Sequence, residues 1–166
     1  MIRNIVWTVI LAIIAGILQS TLLGNIAILN VVPDLALCIV VYSAYVNGTM
    51  TGQVSGFFSG LLLDFLSAAP LGLNCLIRTL IGALAGVFKG AFFLDIFFMP
   101  VILCSLATIA KAVILFIVNL FMGSAVPVYS LTSSLFWVEL GLNTLSAPIL
   151  FFALRRIKYI SPGRRQ

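Results

Sequence analysis

Histidine is absent from the 166-residue chain, and only four residues are acidic. Most metal centres and general acid–base sites draw on one or both of these residue types. The motifs H-E-x-x-H and G-x-S-x-G do not occur, and no glycine-rich phosphate loop follows a strand. Ser105 and Lys111 stand six residues apart, on different helix faces, so they do not make a serine–lysine pair. An enzyme is therefore not expected, and no cofactor or metal is implied. The cysteines, Cys38, Cys75 and Cys104, are odd in number, widely spaced and set in apolar runs. They read as small packing residues rather than as ligands or disulfides.

Charge is scarce as well. Charged residues make up 8% of the chain and hydrophobic residues 63%, against about 25% and about 45–50% in soluble domains. A water-soluble fold of this size could not hide so much apolar surface, so the lipid bilayer is the expected solvent. Long polar stretches are missing too. Residues 1–166 therefore read as a single polytopic membrane domain, with residues 155–166 as a basic cytoplasmic tail.

Six apolar segments follow. The first, Ile5 to Leu23, is long enough to cross the roughly 30 Å hydrocarbon layer at 1.5 Å per residue. It lacks a small-x-small cleavage site and reads as a retained helix rather than a signal peptide. The second, Leu35 to Val46, is short, and Pro33-Asp34 opens it: proline suits a first turn, and aspartate complements a helix N-terminus. If this segment is re-entrant, the chain has five spans instead of six. Met50 to Leu66 and Leu71 to Phe88 form a tight pair around Pro70. The fifth segment runs from Ile96 to Phe121 and the sixth from Ser134 to Leu154, with a kink expected at Pro148.

The net charge of +5 does not point to nucleic acid, since no basic fold or interleaved aromatic pattern accompanies it. With six spans, Arg3, Lys89, Arg155, Arg156 and Lys158 all fall on one side of the membrane. That side is cytoplasmic by the positive-inside rule, and both termini lie there. The same residues serve as topology anchors and attract anionic headgroups.

Two glycine ladders stand out. Gly48, Gly52, Gly56 and Gly60 recur every four residues, with Asp64 as the next step; Arg78 is followed at the same interval by Gly82, Gly86 and Gly90. Small residues at this spacing let helix backbones approach closely in lipid, where no water-driven core forms. The four intramembrane charges are expected to pair by depth, Asp64 with Arg78 across the tight hairpin and Lys111 with Glu139 across the last two helices. An isolated charge at a helix centre costs about 2.5–3.5 kcal/mol on insertion scales, and pairing offsets much of this.

Pro33-Asp34-Leu35, then Gly52, Gly56-Phe57-Phe58-Ser59-Gly60-Leu61-Leu62-Leu63-Asp64 and Pro70-Leu71-Gly72 resemble the pattern of the bacterial rod shape-determining protein MreD family. The motif positions carried over are Asp34, Gly56, Gly60, Asp64 and Gly72. The resemblance implies a non-enzymatic, multi-pass scaffold of the bacterial cytoplasmic (inner) membrane. It would help organise peptidoglycan synthesis and cell shape with MreC, a membrane-anchored periplasmic scaffold protein. MreB, RodA and a class B penicillin-binding protein are the further implied partners, and a homodimer is compatible with it. The alternative is a substrate-binding S-component-like subunit of an energy-coupling-factor transporter. Ala12-x-x-x-Gly16 in the first segment is of the kind such subunits use for docking.

Overall fold

The computed structural model describes residues 2–21, 31–67, 70–90, 98–123 and 134–157. They form six helices: α1 (Ile2–Thr21), α2 (Leu35–Asn47), α3 (Thr49–Leu66), α4 (Leu73–Val87), α5 (Phe98–Met122) and α6 (Ser134–Arg155). Helices α1, α5 and α6, of 20, 25 and 22 residues, are long and apolar enough to cross a membrane; α2 and α4 are shorter apolar helices.

Helix α2 lies at the centre. Every residue from Ala36 to Ala44 is buried, and α2 packs on all five other helices. Helices α1, α3, α4, α5 and α6 follow one another around it in that order, and α1 and α6 make no backbone contact among the described residues. A helix apolar on all sides has no face that prefers water, so a fully enclosed position suits it. Of its two tyrosines, Tyr42 is fully enclosed and packs edge-on against Phe151 of α6, with ring centroids 4.9 Å apart.

Helix α3 is built the other way round. It buries Thr51, Gly52, Ser55, Gly56, Ser59, Gly60 and Asp64 and turns Phe57, Phe58, Leu62 and Phe65 outward. A water-soluble helix would collapse with that pattern; in lipid, small residues inside and aromatics outside are favoured. The buried hydroxyls bond back into the helix, Ser55 Oγ donating to the Thr51 carbonyl at 2.6 Å and Ser59 Oγ to the Gly56 carbonyl at 3.2 Å.

Side-chain bonds fix the relative directions of the helices. Thr8 and Ser43 share a hydrogen bond of 2.7 Å, and Asn4 Nδ2 donates to Asn47 Oδ1 at 2.7 Å. The start of α1 therefore lies at the end of α2. Lys89, just after α4, donates to the Asn47 carbonyl at 2.9 Å, so α4 also ends there. Pro148 lies inside the continuous α6. Helix α4 starts two residues later than the sequence suggests. Gly72 occupies its N-cap in a left-handed conformation, φ +92°, and Leu73 N bonds back to the Pro70 carbonyl at 3.1 Å, closing a turn instead of extending the helix.

Candidate functional site

Four ionised side chains meet where α2 begins. Asp34 is the N-cap of α2, its Oδ1 accepting from Leu37 N at 3.0 Å. The same carboxylate receives Arg78 of α4 at 2.9 Å on Oδ1 and Lys111 of α5 at 3.0 Å on Oδ2. Lys111 Nζ also reaches Glu139 Oε1 of α6 at 2.7 Å. Two cations and two carboxylates thus form a neutral cluster that ties four helices together. Asp34, Arg78 and Glu139 are each at least nine-tenths buried. Removing one partner from such a cluster leaves an uncompensated buried charge, at a cost of about 3–5 kcal/mol.

Neutral polar groups extend the cluster. Asp34 N donates to Asn143 Oδ1 at 2.6 Å, Asn143 Nδ2 to Thr108 Oγ1 at 3.0 Å, and Thr108 Oγ1 to the Cys104 carbonyl at 2.8 Å. Asn143 and Thr108 do not stand out in the sequence by residue type, but their spacing is informative. Asn143 lies four residues after Glu139, and Thr108 three before Lys111, so each shares a helix face with its charged neighbour.

The Lys111–Glu139 contact lies where equal depth places it. Asp64 and Arg78 do not pair, and here the expectation from depth alone is corrected. Asp64 Oδ2 accepts from Gly72 N at 3.0 Å and Cys75 N at 3.1 Å, and Oδ1 from Asn74 N at 2.9 Å and Asn74 Nδ2 at 3.0 Å. The carboxylate is consumed by the orphan amides at the start of α4, a strong site for negative charge. Arg78 lies further into α4, and its side chain leaves the helix toward α2 and Asp34. Depth was readable from the sequence, whereas helix rotation was not. The Pro70-Leu71-Gly72 turn and Asp64 therefore form one capping device.

The glycine ladders divide into two kinds. Gly52 and Gly82 face each other so closely that a Cβ on either would overlap the other's carbonyl group; a Cβ on Gly56 would overlap the Arg78 carbonyl, and one on Gly86 the Thr49 backbone. Gly60 meets the backbone of Asn74 and Cys75. These five residues make α3–α4 the most extensive helix pair in the bundle. Gly48 and Gly90 are the correction: both have positive φ, +101° and +74°, and among the described residues a Cβ on Gly90 would meet nothing within 4 Å. Gly90 follows the end of α4, whereas Gly48 joins α2 to α3 and its backbone also lies against Gly86; only glycine takes these conformations without strain.

Of the expected topology anchors, Lys89 also caps α2 through the Asn47 carbonyl. Arg3 lies in the first turn of α1, and Arg155 ends α6. Arg156 stacks over Phe152, 5.2 Å from the ring centroid. Lys158 lies outside the described residues. Ala12 is fully buried, and the side chain of Leu63 fills the space beside Gly16. The Ala12-x-x-x-Gly16 site is thus occupied from within the chain and is not open for docking. Ser105 bonds to Thr144 and to the Val101 carbonyl rather than to Lys111. Among the described residues no group of three or more His, Cys, Asp or Glu could hold a metal ion.

Ion-paired side chains enclosed by helices with aromatic and aliphatic outer faces define an all-helical membrane protein. The family model for the rod shape-determining protein MreD matches residues 1–158, and the chain belongs to that family. No curated protein and no solved structure matches it.

Proposed function

We propose that the chain is a non-enzymatic scaffold of the cell-elongation (rod) complex, held in the bacterial cytoplasmic membrane by six spans with both termini in the cytoplasm. It acts with an MreC-like periplasmic scaffold protein, and with MreB, RodA and a class B penicillin-binding protein as further partners. The observation that carries this reading is the cluster of Asp34, Arg78, Lys111 and Glu139. Its charges are matched within the chain, so the membrane-embedded ions lock helices. The working surfaces are then the outer faces of the bundle.

The distribution of charge supports this orientation. Arg3, Lys89 and Arg155 stand at the end of the bundle where α2 and α4 finish, and the buried carboxylates Asp34 and Asp64 lie toward the other end. The positive-inside rule makes the first end cytoplasmic. Helix α2, at 13 residues, rises about 20 Å, some two-thirds of the hydrocarbon thickness. The Asp34 cap thus lies below the periplasmic surface, at a depth where its two cationic partners matter most.

The test replaces the resident MreD of a rod-shaped bacterium with this chain, tagged at the C-terminus. Rod shape should be retained, the MreC-type protein should copurify, and a cytoplasm-specific reporter at the C-terminus should be active. Rounded cells with normal levels of the chain would refute the scaffold role. A reporter active only in the periplasm would refute the topology.

A further inference from the structure

The helices that face lipid differ in length. Helix α4 has 15 residues and its neighbour α5 has 25. At about 1.5 Å per residue they rise about 22 Å and about 37 Å, against about 30 Å of hydrocarbon. The outward apolar side chains follow the same limits. On α4 they are Leu76, Leu80, Leu84 and Val87, and on α5 they run from Phe98 to Met122. A helix that is too long fits by tilting, whereas tilting only shortens the span of one that is already short.

The length of α4 is fixed at both ends. At its start Gly72 is left-handed, φ +92°, and the amides of Gly72, Asn74 and Cys75 all donate to Asp64. Just past its end Gly90 takes φ +74°. Gly82 and Gly86 lie against Gly52 and Thr49, so α4 cannot slide along α3. The flanking polar side chains are held back as well. Lys89 folds over Gly48 to donate to the Asn47 carbonyl, and Asn74 Nδ2 donates to Asp64. Neither reaches on toward a membrane surface. The Lys89 bond also sets the ends of α4 and α2 at one level. With Lys89 at the cytoplasmic boundary, the shortfall of about 8 Å lies at the opposite end, where α2 and α4 begin.

From these lengths we infer that the bundle draws the bilayer thin beside α4, from the periplasmic side, and that phospholipids with short acyl chains are its preferred neighbours there. The inference rests on the six-span reading above. The α5 face takes chains of ordinary length. A helix shorter than its bilayer can be accommodated by a thinner bilayer, by flanking side chains that reach for the surface, or by burial against another copy. The contacts of Lys89 and Asn74 remove the second route. The third is disfavoured by the outer row of α4, which carries Leu76, Leu80, Leu84 and Val87. Helices associate in lipid through small residues that let backbones approach, and this row is bulky at every turn.

The two native tryptophans, Trp7 and Trp137, are changed to phenylalanine. A single reporter is then introduced on either exposed face, as Leu80→Trp on α4 or Ile109→Trp on α5. The full chain is reconstituted in vesicles of brominated dioleoyl phosphatidylcholine, which quenches tryptophan, mixed with dimyristoleoyl, dioleoyl or dierucoyl phosphatidylcholine. Relief of quenching measures how well each lipid competes at that face. At Leu80→Trp the short dimyristoleoyl lipid should outcompete dioleoyl about threefold, and the long dierucoyl lipid should be weakest. At Ile109→Trp dioleoyl should bind at least as well as dimyristoleoyl. Where Leu80→Trp yields no monodisperse chain, Leu84→Trp reads the same face. One order of lipids at both sites would overturn the inference and leave the six-span reading standing. Quenching of Leu80→Trp by aqueous iodide and not by brominated lipid would overturn the six-span reading itself. Quenching by neither, with Ile109→Trp quenched by lipid, would overturn the inference in favour of a second copy seated on α4.

Discussion

The α3–α4 and α5–α6 hairpins each join neighbouring antiparallel helices, yet they are held by different means. In α3–α4 backbone meets backbone: Gly52 lies on Gly82, Gly56 on the Arg78 carbonyl, and Gly86 on Thr49. In α5–α6 side chains meet: Lys111 with Glu139, Asn143 with Thr108, and Ser105 with Thr144. The first seam tolerates no added atom, whereas the second leaves an outer groove of about 570 Å³. Close backbone packing produces a rigid wedge. Side-chain packing produces a pair that holds together and still leaves an open groove on its outer side.

One substitution made in both hairpins should divide them most sharply. Gly56→Leu drives a side chain into the Arg78 backbone, which cannot move aside without parting α3 from α4. Overpacking of this kind costs about 1–3 kcal/mol where neighbours can yield and more where they cannot. Little folded protein should be recovered in detergent. Gly141→Leu adds the same atoms where the described residues leave open space and replaces the poorest ordinary helix former with a good one. Its melting temperature should be unchanged or slightly raised. Equal losses in the two variants, measured as monodisperse fraction and thermal midpoint, would erase the distinction between the seams.

The next effect concerns the charge cluster that bridges the hairpins through α2. Asp34→Ala strips a partner from both Arg78 and Lys111 and should cost about 3–5 kcal/mol. A double-mutant cycle between Asp34 and Arg78 should give a large coupling, because one carboxylate oxygen contacts the guanidinium at 2.9 Å. The same cycle between Asp64 and Arg78 should give little, since Asp64 is engaged by the amides at the start of α4. Thermal unfolding in one detergent provides all the values required. A strong Asp64–Arg78 coupling would restore the pairing that depth alone suggests.

Much of this architecture is legible in the sequence, and the reason differs from element to element. Helices α1, α5 and α6 are visible because a long, predominantly apolar run reports on the bilayer directly. The α3–α4 seam is visible because glycine every fourth residue has few other uses in a membrane helix. Helix α2 is harder to place, since an apolar segment of 13 residues carries no mark of its central position; only the packing of five neighbours around it gives that. In the cluster, the sequence shows which residues need partners but not which partner each takes. Asp34 reads as a cap, and it is one, but its second role depends on α4 and α5 being turned toward it. Rotation about a helix axis leaves no trace in hydropathy when the helix is apolar on most sides.

The smallest predicted effect separates neighbouring steps of one ladder. Gly86 and Gly90 are four residues apart and look equivalent in sequence, but Gly86 lies against Thr49 while Gly90, at φ +74°, has open space beside it among the described residues. Gly86→Ala must push α3 away and should lower stability by about 2 kcal/mol, within the range for an overpacked contact. Gly90→Ala meets no neighbour among the described residues and bears the left-handed conformation, about 1 kcal/mol for a residue with a Cβ. Gly90→Asn, which tolerates that conformation better, should recover part of the loss, while Gly86→Asn should be worse than Gly86→Ala. The opposite responses of the two sites to asparagine test mechanism as well as magnitude. If asparagine rescued neither site, or helped at Gly86, then Gly90 would belong to the packed seam and the ladder would be continuous from Gly82 onward.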